Sequence, residues 1–177
     1  CREADGAVYA IPVREYWEGL FCNKDLFDLY GLELPTTWEK LETAARVFRE
    51  NGIVPLAVSL SDQPHYIAEF CLLCCGGEEA HRQRPASIEE VPGSWTEGMA
   101  LLRQMQQEGF FPEDTEVITA SEASQLFLQK KAAMQIDGSW FANSLPEDRM
   151  DSTVVLPFPS RNGDSSAIIR GVSMGFY

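Results

Sequence analysis

Between Thr119 and Trp140 the hydrophobic pattern changes period within one short stretch, from the spacing of a helix to the alternation of a strand, and a tight turn then delivers a tryptophan to a helix start. Thr119 and Glu122 stand at capping-box spacing, and Ala120, Ala123, Leu126 and Phe127 form one apolar side before Lys130 and Lys131 close the helix with cations. From Ala132 to Asp137, Met134 and Ile136 alternate with Gln135 and Asp137, as a strand with two different faces requires. Asp137-Gly138 turns the chain, and Ser139 is expected to cap a new helix whose first turn holds Trp140. Ligands of open α/β sheets lie just past the carboxyl ends of the strands. Trp140 and Ser139 are therefore the first candidate ligand contacts.

The rest of the chain alternates in the same way. Val8 to Val13 reads as a strand and Trp17 to Cys22 as another, with Asn23 capping a short helix through Leu26, Phe27 and Tyr30 that stops at Gly31. Thr36 and Glu39 have capping-box spacing, and Trp38, Leu41, Ala45 and Phe48 recur as one apolar stripe until Gly52. Ile53 to Leu60 is an expected strand, and Pro64 to Cys75 an expected apolar helix closed by Gly76-Gly77. The polar, proline-bearing stretch from Glu78 to Pro92 has no usable period and reads as an exposed connection. Ser94 and Glu97 restart a helix carrying Trp95, Met99, Leu102 and Met105. Thr153 to Phe158 and Ile168 to Tyr177 complete the strands. Strands alternating with helices, without internal repeats, place the chain in the α/β class.

A chain of 177 residues can bury a real core, and one domain is expected. Lys and Arg total 14 against 27 Asp and Glu, a net charge of −13. Such a field repels phosphate backbones and anionic lipid, so nucleic acid is not an expected partner; a neutral ligand fits better. No apolar run approaches the length of a bilayer span.

Cys71, Cys74 and Cys75 fall at helical spacing beside Phe70, Leu72 and Leu73, where thiols pack as small hydrophobes. A metal site would need further ligands at suitable spacing, and only His81 follows. No metal or cofactor is expected. His65 and His81 are the only histidines, and no G-x-S-x-G, P-loop, dinucleotide glycine pattern or zinc-helix motif is present.

Four phrases carry a resemblance. V-Y-A-I-P-V (Val8 to Val13), L-F-C-N-K-D-L-F (Leu20 to Phe27), Y-G-L-E-L-P-T-T-W (Tyr30 to Trp38) and F-L-Q-K-K-A-A-M-Q-I-D-G-S-W (Phe127 to Trp140) occur in one order. Together they resemble the extracellular solute-binding proteins of ABC importers, in the branch that includes maltose-binding protein. The resemblance implies a periplasmic-binding-protein-like fold in which residues 1–177 form one α/β lobe, a mixed sheet flanked by helices. It further implies that this is the second lobe of a two-lobe protein, the N-terminal lobe being absent, with 8–13 and 168–177 as the strands that cross between lobes. The implied function is capture of a carbohydrate, an oligosaccharide by expectation, between the lobes and its delivery to a membrane permease. The implied location is extracytoplasmic, as a cell-surface lipoprotein or in the periplasm. Cys22 stands where the family usually has tyrosine.

Sugar sites combine a flat aromatic surface with a few directional polar groups. Trp140 supplies the first. Trp38 and Trp95 lie on apolar stripes and are assigned to packing. By resemblance, Glu15, Tyr16 and Trp17 follow the first crossing strand and line the cleft, while Gln63, His65 and Tyr66 occupy a loop that offers aromatics to the sugar. On the residues alone, Asp62 there is a helix cap with Pro64 in the first turn. Two alternatives stay open: a glycoside hydrolase that uses paired carboxylates such as Glu15 and Asp137, and a ligand sensor for a membrane receptor.

Overall fold

The computed structural model describes residues 11–161 and 169–176. One long strand organises it. β1 (Ile11–Asn23) runs without interruption through both segments expected as separate strands, because Arg14 and Glu15 are absorbed by irregularities in its pairing with β5 (Ile169–Phe176). Those parts of the expected strands at 8–10, 168 and 177 lie outside the described residues.

Along one edge, β1 pairs antiparallel with β3 (Ala132–Gly138) through Glu18 to Cys22. Along the other edge its two halves have different partners: Ile11 to Glu18 pair with β5, and Leu20 to Asn23 with β4 (Thr153–Leu156). β2 (Val54–Ala57) completes the sheet, parallel to β3. The sheet is therefore mixed, with order β2-β3-β1-β4 and β5 set against β1.

Helices cover both faces. Leu20, Cys22, Leu56, Met134 and Ile136 meet buried residues of α1 (Lys24–Leu29), α2 (Trp38–Glu50), α3 (Pro64–His81) and α4 (Gly93–Gln107), including Phe27, Phe48, Phe70 and Met105. On the opposite face Phe21 and Ala57 pack with Phe127 of α5 (Ala120–Leu128) and with Phe141. Being covered on both faces, β3 is buried at every position, Gln135 and Asp137 included.

The local signals were partly displaced. Thr119 and Glu122 do form a reciprocal capping box. The cap of α2, however, is Thr37, which accepts from the Lys40 amide, one residue beyond the expected Thr36 and Glu39 pair. Asn23 occupies the N-cap position of α1 without capping it, since its side chain is drawn into the interior. Gly77, at φ 65°, breaks α3 where the glycine pair was expected to end it, and a further helical turn follows to His81. The connection beyond contains a 3-10 turn at Ile88–Glu90. α4 starts from Pro92 rather than at Ser94, and Met99 is exposed rather than on the buried side. Gly98 is what brings α4 against α3: a Cβ there would lie 2.8 Å from Leu72 Cα and 2.9 Å from the Cys71 carbonyl. β4 ends at Leu156, short of Phe158, whose ring is buried against Trp38 and Phe70.

Cys22, Cys71 and Cys74 are buried, and burial pushes each thiol above its ordinary range, Cys74 to about 12. Trp38 is a core residue, and Trp95 is half-buried with its indole N–H donating to Ala80 O at 3.1 Å. No helix among the described residues is long and apolar enough to cross a membrane.

Candidate functional site

At the carboxyl ends of the parallel strands β2 and β3 the chain leaves the sheet twice, toward α3 and toward a 3-10 helix (Ser139–Ser144). Three aromatic rings meet there. Trp140 has its ring centroid 5.7 Å from that of Tyr16 on β1 and 6.2 Å from that of Tyr66 on α3, and it remains 40% exposed. His65 adds a fourth ring, edge-on to Tyr66 at 4.4 Å. Apolar faces with open access are what the C–H side of a sugar ring can stack on.

Each ring is fixed by its element. The indole of Trp140 folds back over Gly138, and any Cβ at 138 would fall 2.2 Å from Cη2. Gly138, not Ser139, is the N-cap of the 3-10 helix and makes no side-chain cap, so Ser139 is its half-buried first residue. Tyr66 lies in the first turn of α3, just after Pro64, whose fixed φ suits that position. The preceding loop is held from the other side. Ser59 and Ser61 hydroxyls both donate to Ile118 O at 2.6 Å, Thr115 Oγ1 donates to Val58 O at 2.7 Å, and Asp62 accepts from the Ala120 amide at 3.0 Å. Asp62 thus caps α5 across the cleft instead of its own helix. A loop ordered before the ligand arrives lowers the entropic cost of binding.

Near the rings lie carboxyl groups, of which the local pattern singles out Asp137 but not Glu18. Glu18 is 6% exposed, and its Oε2 is sealed from solvent without a hydrogen-bond partner among the described residues. Burial, then Glu69 and Asp137, raise its carboxyl to about 7. Asp137 is also raised by burial, against hydrogen bonds from the Gly138 amide at 2.7 Å and Gln135 at 2.8 Å. Gln135 Nε2 is shared between Asp137 and Ser124 Oγ, at 2.8 Å each. The same carboxyls and Tyr16 reinforce burial in lifting the Tyr66 hydroxyl to about 12, so it stays a hydrogen-bond donor. Glu69 in turn faces His81 Nε2 at 3.0 Å. What marks Glu18 in the sequence is only its place inside an otherwise apolar strand, in Trp17-Glu18-Gly19-Leu20.

Of the expected residues, the structure brings together Trp140, Tyr16, Tyr66 and His65. Gln63 stands beside Tyr66 in a cleft that Ser59, Ala120 and Gln135 also line. Trp17 is turned to the other face of β1 and stacks on Phe21 at 5.9 Å. Glu15, on the same alternation as Trp17, is exposed and does not join the rings. Among the described residues no group of histidine, cysteine and acidic side chains is arranged to hold a metal.

A family model described as bacterial extracellular solute-binding protein matches residues 2–171. The melibiose/raffinose/stachyose-binding protein MelE of Bacillus subtilis is 25% identical over 180 aligned residues, covering 96% of this chain and 42% of MelE. Among solved structures, a chitin oligosaccharide binding protein superposes with a TM-score of 0.80 at 23% identity, covering 96% of this chain and 44% of that one. A sugar transporter from Bacillus licheniformis, in complex with stachyose, superposes at 0.71 with 21% identity, covering 98% and 48%. The chain therefore spans less than half the length of each of these proteins.

Proposed function

The chain belongs to the bacterial extracellular solute-binding proteins, and from that premise we propose that it is the carbohydrate-binding second lobe of an ABC importer's receptor. The observation that carries this reading is the trio Trp140, Tyr16 and Tyr66, held open to solvent above a layer of carboxyl and amide groups. Stacking on the rings and hydrogen bonding to Gln63 and Tyr66 are the two halves of a sugar contact. The names of relatives, one of which binds melibiose, raffinose and stachyose, support the ligand class.

In this reading residues 1–177 form one lobe, and the segments at 8–13 and 168–177 cross to the other. The antiparallel pairing of Ile11 to Glu18 with β5 supports this reading, since it sets the described parts of the two segments side by side. The sugar binds the closed arrangement of the lobes more tightly than the open one, and so shifts the population toward closure; the closed form is what the permease receives. The receptor works outside the cytoplasm, and no bond of the sugar is broken.

The test is calorimetric titration of the full-length protein against mono- and oligosaccharides, with product analysis after each run. Micromolar or tighter binding without turnover is the expected result. Absence of binding to every sugar overturns the ligand class, and accumulating product would make the protein a hydrolase.

A further inference from the structure

We propose that Glu18 is a proton-linked positioning residue of the ligand site, so that the state of its carboxyl sets how Trp140 is held and how tightly the platform takes a sugar. The proposal rests on the carbohydrate reading for its ligand only. Its structural part concerns Glu18, Asp137 and Trp140.

Glu18 lies opposite Gly138 in the β1–β3 register, directly across from the backbone over which the Trp140 indole folds. Glu18 and the space above Gly138 that the Trp140 ring fills therefore lie on one face of the sheet, the face that also carries Tyr16, and Asp137 is one of two acids whose charge bears on Glu18. The groups facing Glu18 come from several elements. β3 supplies Asp137, and α3 supplies Glu69, paired with His81, together with Tyr66. β1 itself supplies Tyr16, and β5 sets Ile169 opposite Glu18 and exposed Arg170 opposite Trp17. Among the described residues no cation contributes to stabilising the Glu18 charge. A buried carboxyl with an orphaned oxygen, between two other acids, has one inexpensive state, the protonated one.

Ionising it adds a negative charge to the face of β1 that carries Tyr16, within the influence of Glu69 and Asp137. That charge lies across the strand pair from the backbone under the Trp140 indole and changes the seat of the ring. A ligand laid over the platform removes more water from the same face, which favours neutral Glu18 further. Binding therefore takes up a proton where free Glu18 is ionised, and affinity falls as pH rises through that range.

The experiment follows the Trp140 indole N–H resonance of the full-length protein without ligand from pH 5.5 to 8.5, assigned by Trp140→Phe. Glu18→Gln, which is isosteric and fixed in the neutral form, is run beside it. The account expects a Trp140 transition with a midpoint near 7 that is lost in Glu18→Gln. A flat Trp140 profile, or the same transition in Glu18→Gln, overturns it, the second result pointing to a histidine. Carboxyl 13C resonances of the unsubstituted protein give an independent reading: no glutamate titrating near 7 also overturns the proposal. In a second arm, stachyose is titrated at each pH. Affinity that falls by up to about tenfold per pH unit above 7, in the unsubstituted protein only, is expected for one linked proton. If stachyose does not bind at any pH, the ligand class fails while the indole transition still decides the role of Glu18.

Discussion

The indole of Trp140 occupies the space that a side chain at residue 138 would need: a Cβ on Gly138 would lie 2.2, 2.3 and 2.4 Å from its Cη2, Cζ2 and Cζ3 atoms. The conformation of the platform thus depends on one missing methyl group. Gly138 has ordinary extended backbone, φ −89° and ψ 172°, so alanine there meets no backbone strain. Gly138→Ala is expected to leave the fold intact, displace the ring and weaken sugar binding at least tenfold, about 1.4 kcal/mol. Circular dichroism and a binding titration on the same sample check both halves.

Gly98 is a different case, because its missing side chain faces backbone that cannot move aside. A Cβ there meets Leu72 Cα and the Cys71 carbonyl oxygen inside 3 Å, so α4 would have to lift from α3. Gly98→Ala is expected to destabilise the protein by about 1–3 kcal/mol despite its higher helix propensity. Denaturant unfolding measures this, and unchanged or greater stability would show that the helix pair repacks freely.

Arg149 and Asn23 form a buried clamp between α6 (Glu147–Met150), β1 and the end of α5. Arg149 donates to the Asn23 side-chain oxygen and, at 2.7 Å, to Leu128 O, while Asn23 Nδ2 donates to Phe127 O and Ala132 O at 3.0 and 2.8 Å. Arg149→Met leaves two buried acceptors short of a donor. About 2–4 kcal/mol of lost stability is expected, at the scale of two hydrogen bonds to a charged group, with the sugar site unaltered.

Glu18 makes stability depend on pH in a definite direction. Its folded carboxyl titrates at about 7 against an ordinary value of 4.5, so the folded state holds the proton more tightly than the unfolded one. The contribution is fully present below about 4.5, is lost as pH rises from there to 7, and is flat above. Glu18→Gln removes the loss: little change is expected at pH 4.5, and a gain on the order of 1–2 kcal/mol at pH 8, with solvent relieving part of the charge burial. Thermal melts at the two pH values show it, and an equal effect at both would contradict the assignment.

The sequence made the frame of the site legible and left its floor hidden, for a physical reason. Capping boxes, helix stripes and strand alternation are local, so the α5 to Trp140 unit could be read from consecutive residues. Tyr66 is reached only through the resemblance, which places it in a loop that offers aromatics to the sugar. Glu18 is marked only by its place in an otherwise apolar strand, because its state depends on Glu69 and Asp137, which other elements bring to it. The reverse error befell Trp17: alternation along β1 separates it from Tyr16, but that assignment needs to know which face carries α3. Asn23 and Asp62 were read as caps of the nearest helix, the default for such residues, whereas both hydrogen-bond across the fold.

The most direct test of the platform compares Trp140→Ala with Trp17→Ala in sugar titrations of the full-length protein. Both remove an indole from the same sheet region, but only Trp140 belongs to the cluster with Tyr16 and Tyr66. The account predicts at least a tenfold loss of affinity for Trp140→Ala, about 1.4 kcal/mol, and less than a twofold change for Trp17→Ala. Equal losses, or a loss confined to Trp17→Ala, would contradict it and move the ligand to the other face of β1.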